Sequence, residues 1–221
     1  MYALEANDLY RFYHVGDEET RALRGVSLRL EPGEFVAVMG ASGSGKSTLL
    51  ACLSGLDDPD GGQVTVAGAR LSRRPEAERA DLRARRVGVL LQSENLLEHL
   101  SVFENAQLVA GDGHDARLLE LFIRVGLRER LDSRPSQLSG GELARAGLAV
   151  ALAAQPSVLV ADEPTAEVDA ETEQKVLDVI EAFCRGGGAA LIATHSAELA
   201  RRAGRVLYIT DGRLNNESGL R

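Results

Sequence analysis

The sequence is short of the residues that would staple it, anchor it in a bilayer or coat it with positive charge. Its two cysteines, Cys52 and Cys184, lie far apart with no CxxC spacing. That excludes a disulfide scaffold and a cysteine zinc site, and it fits a reducing cytoplasm. Lysine is nearly missing: of the 25 basic residues only Lys46 and Lys175 are lysine. Positive charge is in deficit overall, with a net charge of −8, so the surface has no bulk attraction for nucleic acid or anionic lipid, and no nucleic-acid partner is expected. Long hydrophobic runs are lacking too. The longest, residues 146–154, is about half of what a bilayer-spanning helix needs. The N-terminal stretch has neither a basic n-region nor an apolar h-region, so no signal peptide is expected, and any membrane role is expected to pass through a partner. There is no internal repeat, low-complexity tract or Pro-rich linker. A chain of 221 residues suits one domain, 1–221, with enough length to bury its own core.

What is present alternates. Phe35-Val36-Ala37-Val38-Met39, Val87-Gly88-Val89-Leu90-Leu91, Val158-Leu159-Val160-Ala161 and Ala190-Leu191-Ile192-Ala193 are near-continuous apolar runs, the pattern of parallel strands covered on both faces. Helical patterns at 46–54, 115–125, 141–153, 171–185 and 197–203 separate them. The alternation predicts an α/β core on a parallel sheet. Residues 26–30 and 63–66, with turn signals at Glu31-Pro32-Gly33 and Asp60-Gly61-Gly62, predict an N-terminal antiparallel β part. Residues 93–142 read as a mostly helical insertion, and residues 205–214 as a hairpin turning at Asp211-Gly212. The segment 70–86 holds seven arginines interleaved with Glu76, Glu78 and Asp81 and no aromatics. It reads as a solvated helix face rather than a nucleic-acid patch.

Gly40-Ala41-Ser42-Gly43-Ser44-Gly45-Lys46-Ser47-Thr48 matches the phosphate-loop pattern G-x-x-x-x-G-K-[ST], between an apolar strand and a helix. The glycines let backbone N–H groups converge on one point, and the helix start adds its positive dipole end, making a cradle for α- and β-phosphates. Lys46 is expected to reach the β/γ-phosphates and Ser47 to hold Mg²⁺. Arginine has displaced lysine almost everywhere, yet this position, which needs a compact ammonium among phosphates, keeps lysine. The run 158–161 ends in Asp162 and Glu163. Beside a phosphate loop, Asp162 is expected to hold a Mg²⁺-bound water and Glu163 to act as general base. Ser139-Gly140-Gly141, opening another helix, is a second phosphate cradle in the same chain. One nucleotide does not easily need both, which points to a nucleotide held by another copy.

These motifs together resemble the nucleotide-binding subunit of ATP-binding-cassette (ABC) transporters over essentially the whole chain. Gly40 to Thr48 is similar to the Walker A motif, Leu138-Ser139-Gly140-Gly141-Glu142 to the LSGGQ signature in its LSGGE form, and Val158 to Glu163 to Walker B with its catalytic glutamate. Ala166-Glu167-Val168-Asp169 resembles the D-loop, Gln92 the Q-loop glutamine and His195 the switch histidine. The combination of Tyr13…Gly16, residues 33–40, Leu53-Ser54-Gly55-Leu56-Asp57 and Asn95-Leu96-Leu97 is similar to the lipoprotein-releasing and macrolide-efflux ATPases, which pair with FtsX-like permeases.

The resemblance implies a P-loop nucleoside-triphosphatase core with a parallel sheet, an N-terminal antiparallel β subdomain and an inserted helical subdomain. It implies ATP and Mg²⁺ as cofactors, and a head-to-tail dimer in which the loop of one copy and the signature of the other sandwich each ATP. Tyr13 would stack on adenine, with Tyr10 and Phe12 as rivals. Gln92 would touch Mg²⁺ or the attacking water, His195 the γ-phosphate, and Asp169 the dimer contact. Residues 93–101 would dock a transmembrane permease at the cytoplasmic side of the membrane, the second ATPase copy being identical or related. The alternative it leaves open is a regulatory module that gates a membrane partner without transport. Two departures stand out. The helix after the signature lacks the usual glutamines and has Val150 where an arginine is usual, while Arg145 is retained, and Glu167-Val168 replaces the usual small-Leu pair of the D-loop.

Overall fold

The computed structural model describes residues 1–15, 18–93, 95–166 and 168–215; Gly16, Glu94 and Glu167, which the sequence reading used, lie outside them. The four apolar runs become strands β3 (Phe35–Met39), β6 (Val87–Leu90), β7 (Val158–Asp162) and β8 (Ala189–Ala193). With β9 (Arg205–Thr210) they form a parallel sheet in the order β9-β3-β8-β7-β6, and β10 (Arg213–Asn215) pairs antiparallel at its edge. The register sets Val89, Val160, Leu191 and Val36 side by side across the sheet. The runs are continuous because both faces are covered. Val36, Val38, Val158, Val160 and Leu191 face one core, with α1 (Lys46–Ser54) and the N-terminal sheet; Phe35, Ala37, Leu159, Ala190 and Ile192 face the other, with α5 (Gly140–Leu152) and α6 (Ala170–Arg185).

The N-terminal sheet, of order β2-β1-β4-β5, is antiparallel. Its long strands, β1 (Leu4–Val15) and β2 (Glu18–Leu30), extend well past the 26–30 segment expected; β4 is Gly61–Val66 and β5 Ala69–Arg70. Register shifts between Ala6 and Leu9, Leu9 and Tyr10, and Arg11 and Phe12 explain the shortfall. Each bulge moves the alternation of inward and outward side chains by one step, so no single period runs through β1.

Between β6 and β7 the chain makes α3 (Val102–Ala110) and α4 (Asp115–Arg124), which pack Val102, Ala106, Leu118 and Phe122 against Ala146, Ala149 and Val150 of α5. Helix α2 (Glu76–Arg86) buries none of its residues and pairs Arg79 with Glu76 and Arg85 with Asp81. Arg70, Arg73 and Arg74 precede this helix rather than lying on it. Helix α7 (Ala197–Arg202) precedes β9. The β9–β10 turn has Asp211 at φ 48° and Gly212 at φ 72°, the pair of left-handed residues that a two-residue hairpin turn favours. Cys52 and Cys184 are both buried in the cores, where burial pushes their thiols up to about 12. Among the described residues no helix is long and apolar enough to cross a membrane.

Candidate nucleotide site

Four of the five parallel strands of the central sheet hand a motif to the same edge. At its carboxyl end β3 leads into Gly40, β6 into Gln92, β7 into Glu163 and β8 into His195. That edge is where open α/β sheets bind ligands. A cleft of about 870 Å³ opens there, lined by Tyr13, Ser42, Gly43, Gly45, Lys46, Ser47, Thr48, Gln92, Asp162, Glu163 and His195 among others. A larger cavity of about 1090 Å³, between the chain start, α4 and α6, holds none of the motif residues.

The phosphate loop is tight by construction. A Cβ on Gly40 would meet the Ile209 carbonyl oxygen at 2.4 Å and Ser44 Oγ at 2.6 Å. Gly45, at φ 108°, has the Ala22 carbonyl oxygen in the same relation at 2.5 Å. Gly45 heads α1 and offers no side-chain cap, whereas Ser101, Ser139, Asp169 and Ser196 cap α3, α5, α6 and α7 with their side chains. The starts of α2 and α4 also lack a side-chain cap, but that of α1 borders the cleft, where its first N–H groups could meet an anion. Lys46 is 8% exposed, and its ammonium donates to the carbonyls of Gly40 (2.7 Å) and Ala41 (3.1 Å). It also lies 3.3 Å from His195 Nε2.

Ser47 Oγ donates to Asp162 Oδ2 at 2.8 Å, and both line the cleft with Gln92. A hydroxyl, a carboxylate and an amide oxygen are the hard donors that Mg²⁺ prefers, the rest of its shell coming from waters and phosphates. The described residues hold no group of three His, Cys, Asp or Glu that would cage a metal by themselves. Glu163 departs from ordinary backbone, with φ 48°, a region costly for a residue with a side chain. The turn is held by its N–H, which donates to Ala193 O at 2.9 Å. Its Oε2 accepts the His195 backbone N–H at 3.2 Å, while Oε1 is buried with no hydrogen-bond partner among the described residues and lies 3.6 Å from His195 Nε2.

The second cradle is elsewhere. Ser139, Gly140 and Gly141 do not line the cleft, nor does Asp169. Ser139 caps α5 by accepting the Glu142 N–H, while its own N–H and hydroxyl donate to Glu142 Oε2 at 2.9 Å each. Arg130 Nε donates to Glu142 Oε1 at 2.9 Å. The Ser139 backbone N–H, then Arg130 and the Ser139 hydroxyl, hold the Glu142 carboxyl down at about 2. Asp169 accepts the Thr172 N–H at 2.8 Å as the cap of α6. Of the docking segment, Leu96 packs against the helical core and Leu97 is 45% exposed.

Several residues of the cleft had no signal in the sequence. Glu173 accepts the hydroxyls of Ser196 (2.6 Å) and Thr165 (3.2 Å), and all three line the cleft. Gly212 of the β9–β10 turn donates to Ser44 O at 3.0 Å and accepts from Arg24 N at 2.8 Å, bracing the phosphate loop from a segment far along the chain.

A family model described as ABC transporter matches residues 23–166. The chain belongs to the ABC transporter family. Within it, this ATPase cassette is similar to the lipoprotein-releasing system ATP-binding protein LolD of Ruegeria pomeroyi, with 45% identity over 207 residues, 90% of this chain and 91% of that protein. It is similar also to the macrolide export ATP-binding/permease protein MacB of Chlorobium luteolum, with 42% identity over 216 residues and 95% of this chain. The cassette spans only 32% of that relative's length. Among solved structures, a dimeric ATP-binding cassette in a post-hydrolysis state, bound to ADP and Pi, matches with a TM-score of 0.92 at 31% identity, covering 99% of both chains.

Proposed function

We propose that this cassette hydrolyses ATP as one of two copies closed head to tail around two nucleotides, and that the closing and reopening drive an FtsX-like permease at the cytoplasmic side of a membrane. The observation that carries the reading is the separation of its two phosphate cradles: the loop at 40–48 lines the cleft, and Ser139, Gly140 and Gly141 do not. A second copy gives the latter something to bind, with the helices of residues 93–142 as the inserted subdomain that presents them and Asp169 at the contact. The solved cassette it resembles is itself a dimer with ADP and Pi. The permease comes from the relatives, one described as an ATP-binding/permease protein and another as part of a lipoprotein-releasing system. Residues 93–101 are the surface we assign to it.

In this reading the loop N–H groups and Lys46 bind the phosphate oxygens, and Tyr13 carries the base. Ser47, Gln92 and Asp162 would hold Mg²⁺, which when bound would neutralise charge on the β- and γ-phosphates. Glu163 Oε1, the unpartnered acceptor, takes the proton of the attacking water as its oxygen bonds to the γ-phosphorus. The bond from that phosphorus to the β–γ bridging oxygen breaks, and ADP and phosphate leave. His195, whose Nε2 lies 3.3 Å from the Lys46 ammonium, reads whether the γ-phosphate is present. Hydrolysis removes the group that joins the loop of one copy to the signature of the other, so the dimer reopens.

The test is complementation. Lys46→Ala removes the phosphate-binding ammonium, and Gly140→Asp puts a carboxylate at the signature; each protein alone is expected to lack hydrolysis. Mixed, they form dimers with one intact site, the loop of the Gly140→Asp copy facing the signature of the Lys46→Ala copy, and activity returns. A mixture as inactive as its parts, or full activity in Gly140→Asp alone, contradicts the shared site.

A further inference from the structure

Tyr13 sits near the end of β1 with 36% of its surface exposed, and an exposed tyrosine ordinarily swings about two side-chain torsions. Here its ring is held. The hydroxyl donates to Asp57 Oδ2 at 2.9 Å, and the Arg11 guanidinium carbon lies over the ring, 4.8 Å from its centroid. Arg11 is fixed in turn. Its Nε and Nη2 fork onto Asp57 Oδ2 (2.8 Å) and Oδ1 (2.9 Å), and Nη1 reaches Asp60 at 3.2 Å. Asp60 accepts the Phe12 N–H at 2.7 Å, and Asp57 Oδ1 accepts the Asp58 N–H at 2.8 Å. The pair is partly buried, with side-chain exposures of 22% and 27%, and the bidentate fork is the geometry that fixes a guanidinium plane. Asp57 follows the C-terminal end of α1, the helix whose start is the phosphate loop.

We propose that Arg11 is a positioning residue for the nucleotide base: it covers one face of Tyr13, fixes the ring through Asp57 at the end of α1, and leaves the other face to stack on adenine. This rests on the assignment of Tyr13 as the base platform. Arg11 touches no part of the nucleotide; it acts through the ring. It also ties the platform to the same helix that holds the phosphates, so base and phosphate subsites keep a set spacing. Although burial works the other way, the hydrogen bonds from Arg11 and Tyr13 keep the Asp57 carboxyl below its ordinary range, so the ion pair stays intact at neutral pH.

The experiment is calorimetric binding of ATP, ADP and inorganic tripolyphosphate to the full chain carrying Arg11→Leu, Arg11→Lys, Tyr13→Ala and the double change Arg11→Leu/Tyr13→Ala. Base–aromatic stacking of ordinary strength predicts that Arg11→Leu weakens ATP and ADP about three- to tenfold while tripolyphosphate binding stays as in the wild type. Arg11→Lys, which keeps the charge and loses the fork, falls between and serves alone if the leucine variant does not fold. In the Tyr13→Ala background Arg11→Leu adds no further loss, because a positioning residue has nothing left to position. Equal loss for ATP and tripolyphosphate, or additive losses in the double variant, would overturn the proposal. If Tyr13→Ala weakens ATP and neither Arg11 variant does, the base platform stands and the role of Arg11 fails. If Tyr13→Ala leaves ATP affinity unchanged, the platform itself fails and the proposal with it.

Discussion

At the scale of single residues the site is a set of polar groups held in place around one cleft. Lys46, in a nearly closed place, donates to carbonyls of its own loop, so in the reading proposed for this site an arriving phosphate would meet an ammonium already in position. Glu163 keeps one oxygen bonded and one without a hydrogen-bond partner, which suits the role of base proposed for it. Glu163→Gln preserves shape and removes the proton acceptor. A general base is worth about 10²–10⁴-fold in rate, so steady-state hydrolysis should fall by that order while ATP still binds; hydrolysis at the wild-type rate would remove Glu163 from the mechanism. These residues were legible in the sequence because phosphate chemistry demands fixed types at fixed spacings. Arg11, Glu173 and Ser196 were not. An arginine in a strand, an acid on a helix and a serine capping one are ordinary surface residues until the fold brings partners 46, 23 and 23 positions away in the chain against them.

At the scale of elements, the helix starts divide by use. Helix α1 begins bare at Gly45, and α5 begins with a reciprocal cap between Ser139 and Glu142. The cap has a pH signature. The Glu142 carboxyl is held at about 2, below the ordinary glutamate value of about 4.3. A depressed carboxyl contributes stability that is fully present above its unfolded value and is lost as pH falls through the folded one. Wild type should therefore melt above Glu142→Gln at neutral pH, and the difference should shrink between about pH 4.3 and pH 2. A melting-temperature difference that does not change with acidification would show that the charge adds nothing to the cap. The N-terminal strands teach the opposite lesson about legibility. Three register shifts in β1 scramble the period that sequence reading depends on, so only the regular segments announced themselves.

At the scale of the whole molecule, the strand order β9-β3-β8-β7-β6 gathers motifs from four strands at one edge, and the β9–β10 turn closes on the phosphate loop from behind. The signature stays outside this cleft, which makes the single chain half of each site in the reading proposed here. Glu163→Gln, unable to remove the γ-phosphate, should stay closed: with Mg-ATP it should elute in size exclusion as a dimer that wild type, turning ATP over, does not accumulate. Asp162→Asn, by weakening the Mg-nucleotide complex, should trap no dimer. A monomer peak for Glu163→Gln under saturating Mg-ATP would contradict closure around nucleotide.

The sequence by itself determined what is local: the phosphate loop between strand and helix, the apolar runs of a doubly covered sheet, the acids that end β7, the hairpin at Asp211-Gly212. Each is written in a few consecutive residues whose chemistry or backbone freedom admits little else. Only the tertiary structure decided what depends on distant segments meeting. It set which strands are neighbours, that Gly212 braces Ser44, and that Asp57 and Arg11 hold the Tyr13 ring. Those outcomes rest on packing two sheets and their helices face to face, and a contact formed across that packing has no period, spacing or composition through which a linear sequence could announce it.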